Sequence, residues 1–275
     1  MLPTINGETS NRKEVTSGIP QGSVLGPILF VIYINDLPEA VESEAYLFAD
    51  ETKIFRVISS LDDQQILQNH LVKLENWSDT WLLKFHPEKC KHMNIHRTPK
   101  EDEVKYKLLG QEISKVKDEK DIGVVIDEAL SFDKHVCQKM NKANSIFAAL
   151  RRTFRNLNAD IFLPLYKIPV RTHLDYASSV WAPYKKKYID KIESMQKRAT
   201  KQIQGFNNLS YPERLKKVKL PTMAYTCRRI RGDMIETYKI INEKYDPEAS
   251  SFLKLLSNSS SRFSRRNNSN KIVQQ

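Results

Sequence analysis

An α+β fold, with short strands and hairpins in the first half of the chain and packed helices in the second, is predicted by three observations. Four of the eight glycines, Gly7, Gly18, Gly22 and Gly26, fall within the first 26 residues, where they mark tight turns and close approaches. Tyr46 to Phe48 and Ile54 to Ile58 are strand-like runs on either side of an acidic turn. From Asp133 onward the pattern changes: Val136, Met140, Ala143, Phe147, Leu150 and Phe154 recur at four- and three-residue steps, the apolar seam of a long helix. Hydrophobic residues at 40% and charged residues at 28% of the 275 suit a globular chain and exclude a wholly disordered or collagenous one.

The elements follow in order. Asn6-Gly7 reads as a hairpin turn, and Val15 to Gly22 as a loop. Pro27 stands in the first turn of an apolar helix through Ile28, Leu29, Phe30, Ile32 and Tyr33. Ala49, Asp50, Glu51 and Thr52 form the turn of a buried β-hairpin with two carboxylates at its tip. Ser60 and Asp63 make a capping-box pattern ahead of Ile66, Leu67, Leu71, Leu74, Trp77 and Trp81, which predicts an amphipathic helix over 62–80. Cys90 to His96 alternates as a strand, and Asp121 to Ile126 is a β-branched strand ended by the Asp127-Glu128 turn. Helices are expected over about 160–182, kinked at Pro169, and over 186–204 and 222–243. The Ser-, Asn- and Arg-rich tail from Ser257 is expected to be disordered. The division is therefore 1–130 mixed, 131–256 helical and 257–275 tail.

Charge is divided along the same line. Residues 1–128 hold 15 basic and 22 acidic side chains, and residues 129–275 hold 29 and 11. A basic half joined to an acidic one suits a protein that grips a polyanion with one part and works on it with another. The candidate nucleic-acid contacts are Arg151, Arg152 and Arg155, then Lys185, Lys186 and Lys187, then Arg228, Arg229 and Arg231. Solvated helix faces are the alternative account of such clusters, and phosphate neutralisation is the commoner use of such a bias. Cys90, Cys137 and Cys227 have no C-x-x-C spacing, so an intracellular, thiol-reducing compartment, nucleus or cytoplasm, is expected. The longest apolar run, Val24 to Ile34, is interrupted by Gly26 and Pro27 and falls short of the roughly 20 residues that cross a bilayer, so no membrane partner is expected.

Asp50 and Glu51 are the candidate metal ligands. Adjacent acids on a turn are ordinarily solvated, but a hairpin that presents them toward a glycine-rich loop could hold a hard cation such as Mg²⁺. Two-metal phosphoryl transfer needs more oxygen ligands than two neighbouring side chains supply. His86, Cys90, His92 and His96 match no standard structural zinc spacing, and strand alternation accounts for them. Trp77, Trp81 and Trp181 read as core. There is no P-loop and no G-x-G-x-x-G pattern.

Several blocks resemble the reverse transcriptases of non-LTR (LINE-type) retrotransposons: Ser17-Gly18-Ile19-Pro20-Gln21-Gly22-Ser23-Val24-Leu25-Gly26-Pro27, Ile34-Asn35-Asp36-Leu37-Pro38, and Tyr46-Leu47-Phe48-Ala49-Asp50-Glu51-Thr52. Trp81 to Cys90 and Asp121 to Asp127, through His135, resemble later palm blocks. His173-Leu174-Asp175-Tyr176-Ala177 and Gln196-Lys197-Arg198-Ala199-Thr200 resemble the helical region downstream. The resemblance implies a partial polymerase palm, an antiparallel sheet with packed helices, followed by a helical thumb that holds an RNA template and a DNA primer. It implies that Asp50 and Glu51 are catalytic and bind Mg²⁺, that Pro20, Gln21 and Gly22 lie against the incoming nucleotide and template, and that Gly123 and Val124 belong to a hairpin supporting the primer end.

The chain departs from the family pattern at three places. Glu51 stands where the family has a second aspartate, one methylene longer than octahedral Mg²⁺ readily accommodates. The first palm block with its aspartate, and the fingers, are not found in the sequence, and an endonuclease portion is a further possible missing partner. Pro169 and Thr172 alter the pattern around Val170-Arg171. The expectation is a truncated RNA-directed DNA polymerase that is not competent alone. The alternatives are a non-catalytic nucleic-acid-binding module that uses the basic helices, and a relic without a selected role.

Overall fold

The computed structural model describes residues 4–9, 11, 18, 22–96, 104–154, 157–223 and 227–245. The chain is α+β and divides into two compact units, Met1–Lys117 and Asp118–Gln275.

The first unit opens on the expected hairpin. β1 (Thr4–Ile5) pairs antiparallel with β2 (Glu8–Thr9) through Asn6 and Gly7, both at positive φ (53° and 86°), as a two-residue turn between strands of right-handed twist requires. α1 (Leu25–Ile34) follows, with Pro27 in its first turn and the Gly26 N–H donating to Ser23 Oγ at 3.1 Å. It is apolar on every side yet buries only Gly26 and Ile34. β3 (Glu44–Phe48) and β4 (Glu51–Phe55) form the acidic hairpin. α2 (Leu61–Trp81) starts at the predicted cap: Ser60 Oγ accepts from the Asp63 N–H, and Asp63 accepts from the Ser60 N–H. Its buried face carries His70, Leu74, Trp77 and Ser78.

Two small cores hold this unit. One joins Ile34, Leu37, Val41, Leu74 and Trp77. Here Asp36 accepts the Trp77 indole N–H at 3.0 Å, and buried Ser43 bonds His70 Nδ1 at 2.6 Å. The other joins Tyr106, Leu108 and Ile113. It is built on β5 (Lys91–His92), β6 (Lys107–Leu108), β7 (Gln111–Glu112) and β8 (Ser114–Lys115), in which β6 pairs with β7 and β5 runs parallel to β8. Every described sheet has two strands. The predicted strand from Cys90 to His96 is thus reduced to a two-residue pairing. Trp81, expected in the core, is 40% exposed, because α2 ends there and Leu82 turns out at φ +56°.

The second unit begins with β9 (Asp118–Asp121) and β10 (Val124–Asp127). The predicted single strand from Asp121 to Ile126 is in fact a hairpin whose turn, Ile122-Gly123, has positive φ at both residues. α3 (Asp133–Thr153) buries Val136, Ala143 and Phe147 of the predicted seam. Its start is fixed by Asp127, whose carboxylate accepts from the N–H groups of Ala129, Ser131 and Phe132. The expected helix over 160–182 is broken into three. α4 (Ala159–Tyr166) runs into a π-helical turn at Lys167–Arg171 that contains Pro169, then α5 (Thr172–Asp175) and α6 (Ser178–Trp181) follow. Proline lacks the N–H that would continue the α ladder, and Ala177 at φ +50° makes the second break. α7 (Lys186–Thr200), α8 (Tyr211–Val218) and α9 (Cys227–Ile241) complete the unit.

One continuous core runs through these helices, with Phe162, Tyr166, Val170, Leu174, Trp181 and Ile192 near its centre. Among the described residues no helix is long and apolar enough to cross a membrane. The predicted disordered tail lies outside them.

Candidate functional site

The acidic hairpin is built by alternation. Ala45, Leu47 and Ile54 lie on the half-buried face of β3–β4 and pack on the Leu37–Trp77 core. Tyr46, Phe48 and Phe55 lie on the other face, 48%, 55% and 45% exposed, with the Tyr46 and Phe55 rings edge to face at 5.6 Å. The predicted buried hairpin is therefore covered on one side only, and β4 stops at Phe55 rather than continuing through Ile58. The reversal is confined to Ala49 and Asp50, with Ala49 at φ +51°. A non-glycine residue there is uncommon and costs of order 1 kcal/mol.

Asp50 is a turn residue. Glu51 is the first residue of β4, opposite Phe48, so the two carboxylates do not share the tip as expected. Both are exposed. Among the described residues no three His, Cys, Asp or Glu side chains gather to hold a metal ion, so the described residues do not by themselves make a Mg²⁺ site. His92 meets the edge of Tyr106 at 5.2 Å, and burial pushes the Cys90 thiol pKa up.

Pro20, Gln21 and Arg155 lie outside the described residues; Gly22 is exposed at φ +82°. Gly123 and Val124 stand at the β9–β10 turn, and the helical unit holds this turn closely. The Tyr176 hydroxyl donates to the Ile122 carbonyl at 2.8 Å. A Cβ on Gly123 would come within 3.3 Å of the Tyr176 ring, which would have to give by a few tenths of an ångström, and the φ of +79° strains any other residue there. The Val125 N–H donates to His135 Nδ1 at 3.0 Å, and His135 meets the edge of Trp181 at 5.0 Å. Burial, with a smaller effect of the Lys139 charge, lowers the His135 pKa to about 4, so the ring is neutral and its nitrogen free to accept. Sequence reasoning did not assign His135 or Tyr176 to this role. Their only signal was a place in the resembling blocks, because partners 10 and 54 residues distant leave no periodic trace.

The basic residues are spread along the helices. Arg151 and Arg152 are exposed at the end of α3, favourably placed for its dipole. Lys186 and Arg231 are exposed, whereas Arg228 and Arg229 are described only as backbone positions of α9. Lys185 is engaged: its ammonium reaches the two Asp133 carboxylate oxygens at 2.8 and 2.9 Å, and Lys187 lies 3.8 Å from the same group. Burial acts to raise the Asp133 pKa, but the hydrogen bonds from Lys185 and Tyr188 and the nearby lysine charges outweigh it and hold the carboxyl low.

The description "Reverse transcriptase (RNA-dependent DNA polymerase)" matches residues 1–113. Over this segment the chain is similar to reverse transcriptases, and its relatives are polymerases of mobile elements. It is 27% identical over 221 residues to the RNA-directed DNA polymerase from mobile element jockey of Drosophila funebris, which covers 74% of this chain and 23% of that protein. It is 26% identical to the Drosophila melanogaster jockey polymerase, with 74% and 23% covered. It is 24% identical to the probable RNA-directed DNA polymerase from transposon X-element of the same fly, with 71% and 22% covered. The chain thus spans under a quarter of the length of these curated relatives of the family. No solved structure matches it.

Proposed function

We propose that this chain supplies the lower palm and the thumb of an RNA-directed DNA polymerase that copies an RNA template from a DNA primer. In this reading Asp50 is the metal-binding aspartate and Glu51 its neighbour. Pro20, Gln21 and Gly22 lie against nucleotide and template, Gly123 and Val124 support the primer end, and the basic helices hold the nucleic acid. The observation that carries it is the two-residue reversal at Ala49-Asp50, inside the segment that matches the family. Such a turn lifts a carboxylate clear of its sheet, where a metal–phosphate complex can reach it.

The chain alone is not a competent polymerase. Two-ion transfer requires several carboxylate oxygens converging on ions about 3.5–4 Å apart, and among the described residues no three His, Cys, Asp or Glu side chains converge to supply them. Loss of that electrostatic stabilisation costs at least about 10³-fold in rate. Primer extension on an RNA template with Mg²⁺ or Mn²⁺ tests both statements. No extension is expected from the purified chain, and robust extension that Asp50→Ala abolishes would overturn the incompetence while upholding the role of Asp50.

A second reading, a nucleic-acid-binding module without catalysis, is favoured by the excess of 29 basic over 11 acidic side chains in residues 129–275. It predicts binding that weakens steeply with salt, survives Asp50→Ala and is lost when Arg151, Arg152 and Arg155 are neutralised together.

A further inference from the structure

The helical unit contains a cavity of about 150 Å³ between the Leu130–Asp133 loop and Val180–Tyr188. Small-molecule sites begin at roughly 300 Å³, so this cavity suits one inserted planar group rather than a free metabolite. Trp181 and Tyr188, 1% and 6% exposed, are two of its buried lining residues, and Tyr184, which also lines it, is 75% exposed. A tyrosine this bare contributes little to the fold of its own chain.

Lysines surround these rings. Lys185 Nζ lies 5.7 Å from the centre of the Tyr184 ring, and Lys187 and Lys191 lie 4.5 and 5.8 Å from that of Tyr188. Asp133, another lining residue, fixes Lys185 and reaches Lys187. One carboxylate against Lys185, Lys186 and Lys187 leaves a local excess of positive charge. Residues 118–275 as a whole carry 30 basic against 16 acidic side chains. A polyanion is the occupant that this charge selects. The bare aromatic ring selects further, because only a strand with unpaired bases offers a free π-face beside its phosphates.

We propose that Tyr184 is a stacking platform for an unpaired base of single-stranded nucleic acid, with the adjoining phosphates on Lys186 and Lys187. This rests on the nucleic-acid reading above and assigns it a subsite. The ring takes the face of the base while the ammonium groups neutralise the backbone, a division that tolerates any sequence.

The test is fluorescence anisotropy of the full chain with a labelled single strand of about 12 nucleotides, within the span such grooves cover, and with a duplex of the same sequence. Tyr184→Ala is expected to weaken single-strand binding by about five- to a hundredfold, with little change for the duplex, while Tyr184→Phe stays near wild type. An oligonucleotide with abasic positions should bind wild type as weakly as the intact strand binds Tyr184→Ala. Lys186→Ala should instead flatten the salt dependence by about one unit of slope. An unchanged thermal midpoint for Tyr184→Ala is expected from its exposure. If wild type binds no strand even at low salt, the nucleic-acid reading falls and this proposal with it. If binding is salt-dependent but indifferent to Tyr184 or to base removal, only the stacking platform is overturned. Equal displacement by an acidic peptide would also overturn it, by revealing an anion surface that does not sense bases.

Discussion

The two units solve the problem of burial differently. In the helical unit a single cluster of twenty buried apolar residues runs from Val124 to Met223. In the hairpin unit, burial is divided between one cluster of five and one of three. Its first helix leaves Leu25, Ile28, Val31 and Ile32 more than half exposed, and its hairpin leaves Tyr46, Phe48 and Phe55 about half exposed. A shared core resists the loss of any peripheral contact, whereas small separate cores leave each element dependent on its own few neighbours. The Ala49-Asp50 turn therefore sits on the less consolidated unit, and the Ile122-Gly123 hairpin on the more consolidated one.

The largest expected effect comes from comparing two tryptophans. Trp181→Ala should cost the helical unit about 3–5 kcal/mol, since the ring is buried against His135 and its N–H donates to the Tyr176 carbonyl at 2.6 Å. Trp81→Ala, half-open at the end of α2, should cost well under half as much. Equal losses in urea melts of the two variants would erase the contrast between the units.

Next in size is the pH response of His135. Its folded pKa of about 4 lies below the ordinary 6.5, so at low pH the unfolded chain binds the proton more readily. The stability of the helical unit is then complete above pH 6.5 and declines toward pH 4, by at most about 3 kcal/mol. Burial lowers the pKa of His173, His70 and His92 in the same direction, so the contribution of His135 is the difference between variants. Thermal midpoints from pH 6.5 to 5, above most carboxylate titration, should fall in wild type and fall less in His135→Gln.

A smaller effect separates two glycines at positive φ. Gly123→Ala meets Tyr176, whereas Gly110→Ala meets open space. The backbone cost of about 1 kcal/mol is common to both, so Gly123→Ala should lose more, and Tyr176→Leu should recover part of the difference. Chemical denaturation of the three variants and the double mutant measures this. The smallest is the cap: Ser60→Ala should lose about 1 kcal/mol through α2 alone, read as faster amide exchange in its first turn.

Much of this was legible in the sequence, where the signals are local. The Asn6-Gly7 turn, the Ser60–Asp63 cap and the seam of α3 each lie within one element, and each formed as expected. α8 was missed although Ser210 and Glu213 form the same reciprocal cap as Ser60 and Asp63. Eight residues are too few for a convincing period. The interruption at Pro169 was readable, whereas the second break at Ala177 and the turn inside Asp121–Ile126 were not, because positive φ at Ala177 and Ile122 falls on residues that do not ordinarily signal a turn. Of the candidate site, the placement of Asp50 in a turn was readable. The pairing that puts Glu51 on the strand was not, since either of two turn lengths fits the same letters. Nor was the capture of Lys185 by Asp133, 52 residues away.

The wide turn at Lys167–Arg171 accommodates one residue more per repeat than an ordinary helix. Buried Arg171 and the ion pair it makes with Asp175 at 3.1 Å depend on that extra residue for their azimuth. A homologue lacking a single codon there could wind straight through as regular helix, yet everything from α5 onward would then be rotated by about 100°. Kinship in this stretch is thus better judged by which side chains face inward than by ungapped letter-by-letter matching.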